Sequence, residues 1–367
     1  MMENRTAPRL TFLVHGGPNS IEAVRARGLA RHLPTDTTRF GFRSASRVHT
    51  ARMWHHEICS HPPDFVYVLN TALPGAVVAP WWSVVRGQRY LLDTGDAVFE
   101  MARQSGVGGG LKLPLLWLFE RAAQRQATAV VVRGSKHREL LQARGRPRVE
   151  VIRDGFGEQI GCSPQDVANL RAKLGLGDQF VVGLMGSTVW SPRLGICYGW
   201  DLLEAMARLA DLPIRGLIIG DGNGLDWLRR RAAELGVADR VVFTGRIPYA
   251  EVPVYLRLMD VAMSTQTNNL PGQVRTTGKL PEYMAAERFI LASRVGEAAL
   301  LLPELMLLDY RGEMDAGYPA RLAERVRLLW QRRELLEVRR SLPAIARSLF
   351  DYSVLSQQLV TLLRSLG

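Results

Sequence analysis

What most constrains this chain is a repeated arrangement: a short unbroken apolar run, a turn of glycine or small polar residues, then a segment of helical spacing. Arg9 to His15 (RLTFLVH) runs into Gly16-Gly17-Pro18-Asn19-Ser20, and residues 21–33 then place Ala23, Ala26, Ala30 and Leu33 at helical spacing. Asp64 to Asn70, Tyr90 to Leu92, Ala129 to Val132 and Val149 to Ile152 repeat the run in the first part of the chain. Phe180 to Met185, Arg215 to Ile219, Arg240 to Phe243, Val261 to Ser264 and Phe289 to Ala292 repeat it in the second. Strands that alternate with helices predict parallel sheets with helices on both faces. The 367 residues suffice for two such domains. The pattern predicts an α/β protein with domains at 1–160 and 161–345, and a last helix over 346–367 that crosses back to the first domain.

The intervening segments are less regular. Residues 38–61, rich in arginine and histidine, read as irregular. Gly75 to Arg86 predicts a helix broken at Pro80, Gly106 to Gly110 a flexible hinge, and 161–177 a link with a short helix. Leu111 to Gln126 (LKLPLLWLFERAAQRQ) predicts an apolar helix with a basic end, either a core helix or, with Trp81 and Trp82, one lying in a bilayer interface.

Composition limits the partners. The formal net charge of +12 is uneven: residues 1–160 hold 22 Lys+Arg against 13 Asp+Glu (+9), the remainder 25 against 22 (+3). An excess of that kind points to an anionic partner for the first domain, a membrane surface or a phosphorylated acceptor. No helix-turn-helix, zinc-finger or RNA-binding pattern is present, so nucleic acid is not expected. His55, His56, Cys59 and His61 lack the spacings of common metal sites, and three scattered cysteines argue against a disulfide framework. Leu10 to Val14 is too short for an export signal, and no run reaches the ~20 apolar residues of a membrane span. The expected location is cytoplasmic, free or peripheral on the inner face of the membrane.

The stretch richest in chemistry is Gln273 to Ala286, QVRTTGKLPEYMAA. Thr276, Thr277 and Gly278 can leave backbone N–H groups free at a helix start, where phosphate is favoured. Lys279 adds a point charge, and Glu282 follows on nearly the same helical face. A carboxylate beside a phosphate makes sense if it accepts hydrogen bonds from sugar hydroxyls. Only four residues are lysine against 43 arginines, so a lysine kept here is informative.

This stretch resembles the donor-binding segment of the family 4 retaining glycosyltransferases, whose fold is GT-B. IIGDGNG, RVVFTGRIP and KLPEYMAA followed by FILAS fall in that family's order. The resemblance implies two Rossmann-like domains with parallel sheets facing a central cleft, the first binding an acceptor and the second a nucleotide-diphosphate sugar, with no cofactor or metal required. It implies that Lys279 and Arg193 meet the diphosphate, Glu282 the ribose, and the loop of Gly245, Arg246 and Ile247 the base. Thr277, Gly278 and Leu280 complete the donor segment, and Gly16 and Gly17 match a glycine loop that faces the donor. Asp96, in Asp93-Thr94-Gly95-Asp96, is the candidate for holding the donor sugar or an acceptor hydroxyl. A turn or helix-cap role for Asp96 and a surface role for Arg193 are equally open. Three departures stand out: Gly95 where many members have histidine, Val274 where the family has a further glutamate, and Tyr198-Gly199 where a lysine-glycine pair is usual.

The expected activity is transfer of a sugar from a nucleotide diphosphate to a glycan or lipid-linked acceptor, with retention at the anomeric carbon. Two alternatives share the fold: a nucleotide-sugar 2-epimerase, and a non-catalytic protein that keeps only the sugar-nucleotide pocket.

Overall fold

The computed structural model describes residues 8–71, 74–105, 112–146, 148–157 and 162–367. Gly106 to Gly110, read as a hinge, lies outside them, as do Leu111 and Gly161 at the starts of the predicted helix and link. In chain order the elements are β1 (Leu10–Val14), α1 (Ile21–Leu29), β2 (Thr38–Phe42), α2 (Arg47–Ser60), β3 (Phe65–Leu69), α3 (Gly75–Arg86), β4 (Tyr90–Thr94), α4 (Val98–Ser105), α5 (Lys112–Gln126), β5 (Ala129–Val132), α6 (Ser135–Ala143) and β6 (Val149–Val151). There follow α7 (Pro164–Lys173), β7 (Phe180–Met185), β8 (Trp190–Ser191), β9 (Ile196–Cys197), α8 (Trp200–Arg208), β10 (Ile214–Ile219), α9 (Leu225–Glu234), β11 (Val241–Gly245), α10 (Val252–Leu256), β12 (Val261–Ser264), α11 (Leu270–Val274) and α12 (Lys279–Ala285). The chain ends with β13 (Phe289–Ser293), α13 (Gly296–Leu301), β14 (Leu307–Leu308), α14 (Tyr318–Gln331), α15 (Leu342–Phe350) and α16 (Tyr352–Leu366). Backbone contacts group them into two compact units. The first comprises the chain up to Gly157 with Val274–Thr276 and Ser348–Gly367, and the second the rest.

The first unit is built on a parallel sheet of order β2-β1-β3-β4-β5-β6. Successive residues of a strand face opposite sides, so one unbroken apolar run feeds two cores. Leu10, Phe12 and Val14 pack with α1 and with Leu355, Leu359 and Leu362 of α16, whereas Leu13 packs with Trp54 and Ile58 of α2, Ala76, Ala79 and Trp82 of α3, and Ala123 of α5. Helix α16 lies close on α1: the Ser356 hydroxyl donates to the Leu29 carbonyl at 2.8 Å, and a Cβ on Gly28 would stand 2.2 Å from the Tyr352 ring.

Three expectations fail here. Residues 38–61 are not irregular; they form the edge strand β2 and the fourteen-residue α2. Ser46 caps α2 through the His49 N–H, and Thr50, Trp54 and Ile58, four residues apart, bury one narrow stripe. A stripe of three residues in so polar a segment is easily missed. Pro80 does not break α3 either; the helix runs continuously through it. Helix α1 also stops at Leu29, short of the predicted Leu33. Among the described residues no helix is long and apolar enough to cross a membrane.

A buried charge cluster ties together the C-terminal ends of β3 to β6. The Arg25 guanidinium donates to Asp93 at 2.8 Å and to the Ile152 and Arg153 carbonyls. Asp93 also accepts from the Tyr67 hydroxyl at 2.7 Å and from Arg133 at 3.2 Å, and Arg133 reaches the Asn70 side chain at 2.9 Å. Burial alone would raise the pKa of Asp93, but Arg25, Arg133 and the Tyr67 hydroxyl outweigh it and hold the carboxyl below its usual 3.8. The sign follows. A depressed carboxyl stabilises the fold above pH 3.8 and loses that contribution as pH falls through its folded pKa. Asp93→Asn leaves the buried Arg25 with Asp154, at 3.3 Å, as its remaining acidic partner and is expected to cost the first unit about 3 kcal/mol. Urea unfolding at neutral pH measures it, and the gap from wild type should narrow in acid.

The second unit has a parallel sheet of order β11-β10-β7-β12-β13-β14 and a small antiparallel hairpin, β8-β9. The chain fills β7, β10 and β11 outward, then returns to place β12 on the other side of β7. The order therefore reverses between β7 and β12, the place where open α/β sheets bind ligands.

Candidate functional site

The loops at that reversal are drawn together by backbone contacts. Gly186, at the end of β7, has φ 155°, and its N–H donates to the Ile219 carbonyl at 2.9 Å. Gly220 follows β10 with φ 136°, and its N–H donates to the Gly245 carbonyl at 3.0 Å. A Cβ on Gly220 would stand 2.0 Å from the Gly186 oxygen, so no larger residue fits this approach.

Lys279 points at the same place. Its Nζ sits 3.8 Å from the centre of the Tyr198 ring, and a Cβ on Gly186 would meet it at 3.1 Å. The ring under Lys279 thus comes from Tyr198 of the Tyr198-Gly199 pair, one of the three departures noted in the sequence. Gly199, with φ 104°, opens the nine-residue α8, whose first turn carries the buried Asp201. Burial raises the Asp201 pKa, and hydrogen bonds from the Thr265 hydroxyl and the Leu202 N–H, with Lys279 nearby, oppose the rise.

Helix α12 explains its own sequence. Leu280 is buried, and the buried Tyr283 hydroxyl accepts from the Met185 N–H at 2.7 Å, which fastens α12 to the end of β7. One residue before Tyr283, Glu282 is buried and accepts from the Tyr249 hydroxyl at 2.6 Å. Tyr249 lies just beyond Arg246 and Ile247, so α12 and the loop after β11 meet at this carboxylate. Arg246 is exposed and Ile247 half-buried. Thr277 and Gly278 precede α12, with the Thr277 carbonyl accepting from the Leu280 N–H at 3.1 Å. Arg193 sits in the turn between β8 and β9 and forms an ion pair with Glu313.

In the first unit, Gly16 is held tightly, since a Cβ there would meet the Ser20 hydroxyl at 2.1 Å, while Gly17 faces open space. His15 beside them is buried, with neither ring nitrogen hydrogen-bonded among the described residues, and its pKa is pushed down to about 4, first by burial and then by Arg43. Asp96 forms an ion pair with Arg275 at 3.3 Å. The first N–H groups of α4, at Val98 and Phe99, are accepted by the buried Glu120 at 3.1 and 2.9 Å. Gly95 is packed against Arg133: a Cβ would come within 2.7 Å of its side chain. Val274 is buried. His55 is engaged by the Trp82 indole at 3.0 Å, and among the described residues no three His, Cys, Asp or Glu are grouped to hold a metal ion.

Sequence reasoning missed Tyr198, Asp201, Tyr249, His15, and the pairing of Arg25, Asp93 and Arg133. Asp93 in DTGD and Asp201 at the start of α8 were visible as residues, but their side-chain partners lie 26 to 68 positions away.

Residues 179–331 match the family model described as Glycosyl transferases group 1. The 2-deoxystreptamine glucosyltransferase of Streptomyces kanamyceticus is 28% identical over 192 residues, 50% of this chain and 47% of that protein. The GDP-mannose-dependent alpha-(1-6)-phosphatidylinositol monomannoside mannosyltransferase of Mycolicibacterium smegmatis is 38% identical over 169 residues, 44% of this chain and 41% of that protein. The matches thus span about half or less of each relative's length. Among solved structures, HepE of Anabaena in complex with UDP and glucose aligns over 98% of this chain and all of its own, with a TM-score of 0.75 at 20% identity. Sucrose-phosphate synthase of Thermosynechococcus elongatus aligns over 97% of this chain and 98% of its own, with a TM-score of 0.76 at 16% identity. The fold is GT-B.

Because Tyr283 holds α12 to β7, Tyr283→Phe is expected to leave the Met185 N–H unpaired and to cost about 1 to 3 kcal/mol. Denaturant unfolding of the purified variant checks this, with wild-type stability as the contrary result.

Proposed function

We propose that this protein is a glycosyltransferase that moves a sugar from a nucleotide diphosphate to an acceptor hydroxyl with retention at the anomeric carbon, as in family 4. The observation that carries this is the meeting of Lys279, the Gly186 loop and Glu282 at the β7/β12 reversal, inside the stretch that matches the glycosyltransferase model. In the reaction the bond from the anomeric carbon to the diphosphate oxygen breaks. The acceptor oxygen bonds to the same face, and its proton passes to the departing phosphate. Such a reaction needs the growing negative charge on the diphosphate stabilised more than it needs a strong base. Lys279 supplies that charge, with Arg193 as the second cation and the backbone of Thr277 and Gly278 beside it. Glu282 accepts from the ribose hydroxyls in place of Tyr249, Leu280 fixes the helix, and the loop of Gly245, Arg246 and Ile247 frames the base. Gly16, Gly17 and Asp96 serve the donor sugar and the acceptor. The acceptor is a glycan or a lipid-linked glycan, and the enzyme works from the cytoplasm against an anionic membrane surface. Phosphatidylinositol monomannoside in the name of one relative, and the part of the structural neighbour WaaG in lipopolysaccharide biosynthesis, support such acceptors.

A non-catalytic nucleotide-sugar-binding protein is the second reading. Arg133 packed where a side chain at position 95 would lie, and the buried Val274, favour it.

Thermal-shift binding of UDP, GDP, ADP and dTDP and their sugars, followed by assays of nucleoside diphosphate release, separates the two. One nucleotide should stabilise the wild type. Glu282→Gln should weaken its binding about 10- to 100-fold through loss of a charged hydrogen bond. Lys279→Ala should lower turnover about 100- to 1000-fold. Binding without release in the presence of acceptors supports the second reading, and no stabilisation by any nucleotide overturns both.

A further inference from the structure

Two helices of the first unit expose side chains that soluble surfaces rarely group together. On α3, Val77, Trp81, Val84 and Val85 follow one another at intervals of four, three and one, so they form one stripe along the helix. Trp81 is 50% exposed, Val84 72% and Val85 58%. The opposite face of α3, with Ala76, Ala79 and Trp82, is in the core. Helix α5 packs beside α3 and exposes Leu115, Trp117 (41%) and Leu118 (53%). Trp117 is therefore not the core residue that its apolar neighbours suggest.

Cations border this apolar surface. Lys112 starts α5, the Arg121 guanidinium lies 4.8 Å from the centre of the Trp117 ring, and Arg125 follows one turn on. Arg146 is near enough that its pKa is lowered, by burial first and then by Arg125 and Arg121. Among the described residues none of Arg121, Arg125 and Arg146 has an ion-pair partner. The one acidic side chain on α3 and α5 is Glu120, and it is buried and committed to the start of α4.

We propose that the outer faces of α3 and α5 form a docking surface for an anionic lipid bilayer. Trp81, Val84, Val85, Trp117 and Leu118 enter the interface between headgroups and acyl chains, and Lys112, Arg121 and Arg125 meet the lipid phosphates. The apolar stripes supply insertion, the unpaired cations supply selectivity for negative lipid, and neither feature is explained by packing within the unit. This gives a location to the membrane surface of the proposed function and rests on that reading for its purpose, although lipid binding itself needs no nucleotide.

The test is co-sedimentation of the full chain with vesicles of phosphatidylcholine alone and of equal parts phosphatidylcholine and phosphatidylglycerol. The wild type should bind the mixed vesicles and not the neutral ones, and 1 M salt should weaken binding by shortening the screening length to about 3 Å. A triple variant, Trp81→Ser, Val84→Ser and Val85→Ser, should lose at least about tenfold in affinity with an unchanged melting temperature. Arg121→Gln and Arg125→Gln should each lose about fivefold. The arginine variants keep the test alive should the triple variant fold poorly.

Absence of wild-type binding, equal binding to both vesicles, or unchanged binding by the variants overturns the proposal. A wild-type dimer in light scattering that the triple variant dissolves also overturns it, in favour of self-association. Absence of wild-type vesicle binding with intact turnover on a soluble acceptor sinks only this surface. Intact vesicle binding without nucleotide binding sinks only the glycosyltransferase reading.

Discussion

Parallel strands covered by helices on both sides can present chemistry only at their ends, and this constraint governs both units. Every strand of the two large sheets pairs in parallel. The carboxyl ends of the strands therefore collect the loops that follow them, and those loops must be held without the help of a core. The first unit holds them with charge: Asp93 at the end of β4 gathers Arg25, Arg133 and Tyr67 from three other elements. The second holds them with the absence of side chains, Gly186 and Gly220 letting backbone meet backbone. Charge holds a loop in place at the cost of desolvation; glycine leaves the strand ends open for a ligand.

The fold was legible because the strands are buried on both faces. Runs such as FVVGLM and DFVYVLN are apolar at successive positions, which few other settings demand. The edges were not legible. Strand β2 has neighbours on one side only and α2 buries just three side chains, so neither left an apolar period strong enough to read through the arginines and histidines of 38–61. Proline removes a backbone donor and so predicts a break at Pro80, yet Pro80 is buried in a helix that continues. Tertiary packing outweighed local preference there.

The motif KLPEYMAA combined two kinds of information that spacing alone could not separate. Leu280 and Tyr283 are there for the fold, the one filling the core and the other binding the β7 backbone. Lys279 and Glu282 face the loops at the β7/β12 reversal, with Tyr198 and Tyr249 as their partners. Their helical spacing placed them correctly. Their partners arrive from elements 81 and 33 residues earlier, a relation of topology that no local pattern encodes.

The same limit applies to α3 and α5. Hydrophobic periodicity reports that a helix has an apolar side and not what lies against it. On α3 the core takes Ala76, Ala79 and Trp82, small residues with one large anchor, while the larger branched residues Val84 and Val85 are left outside. A helix selected only for burial would put its bulk inward and charge outward. Here the outward side is the more apolar one by volume, and among the described residues the nearby arginines lack acidic partners, an arrangement costly in water unless another phase meets it.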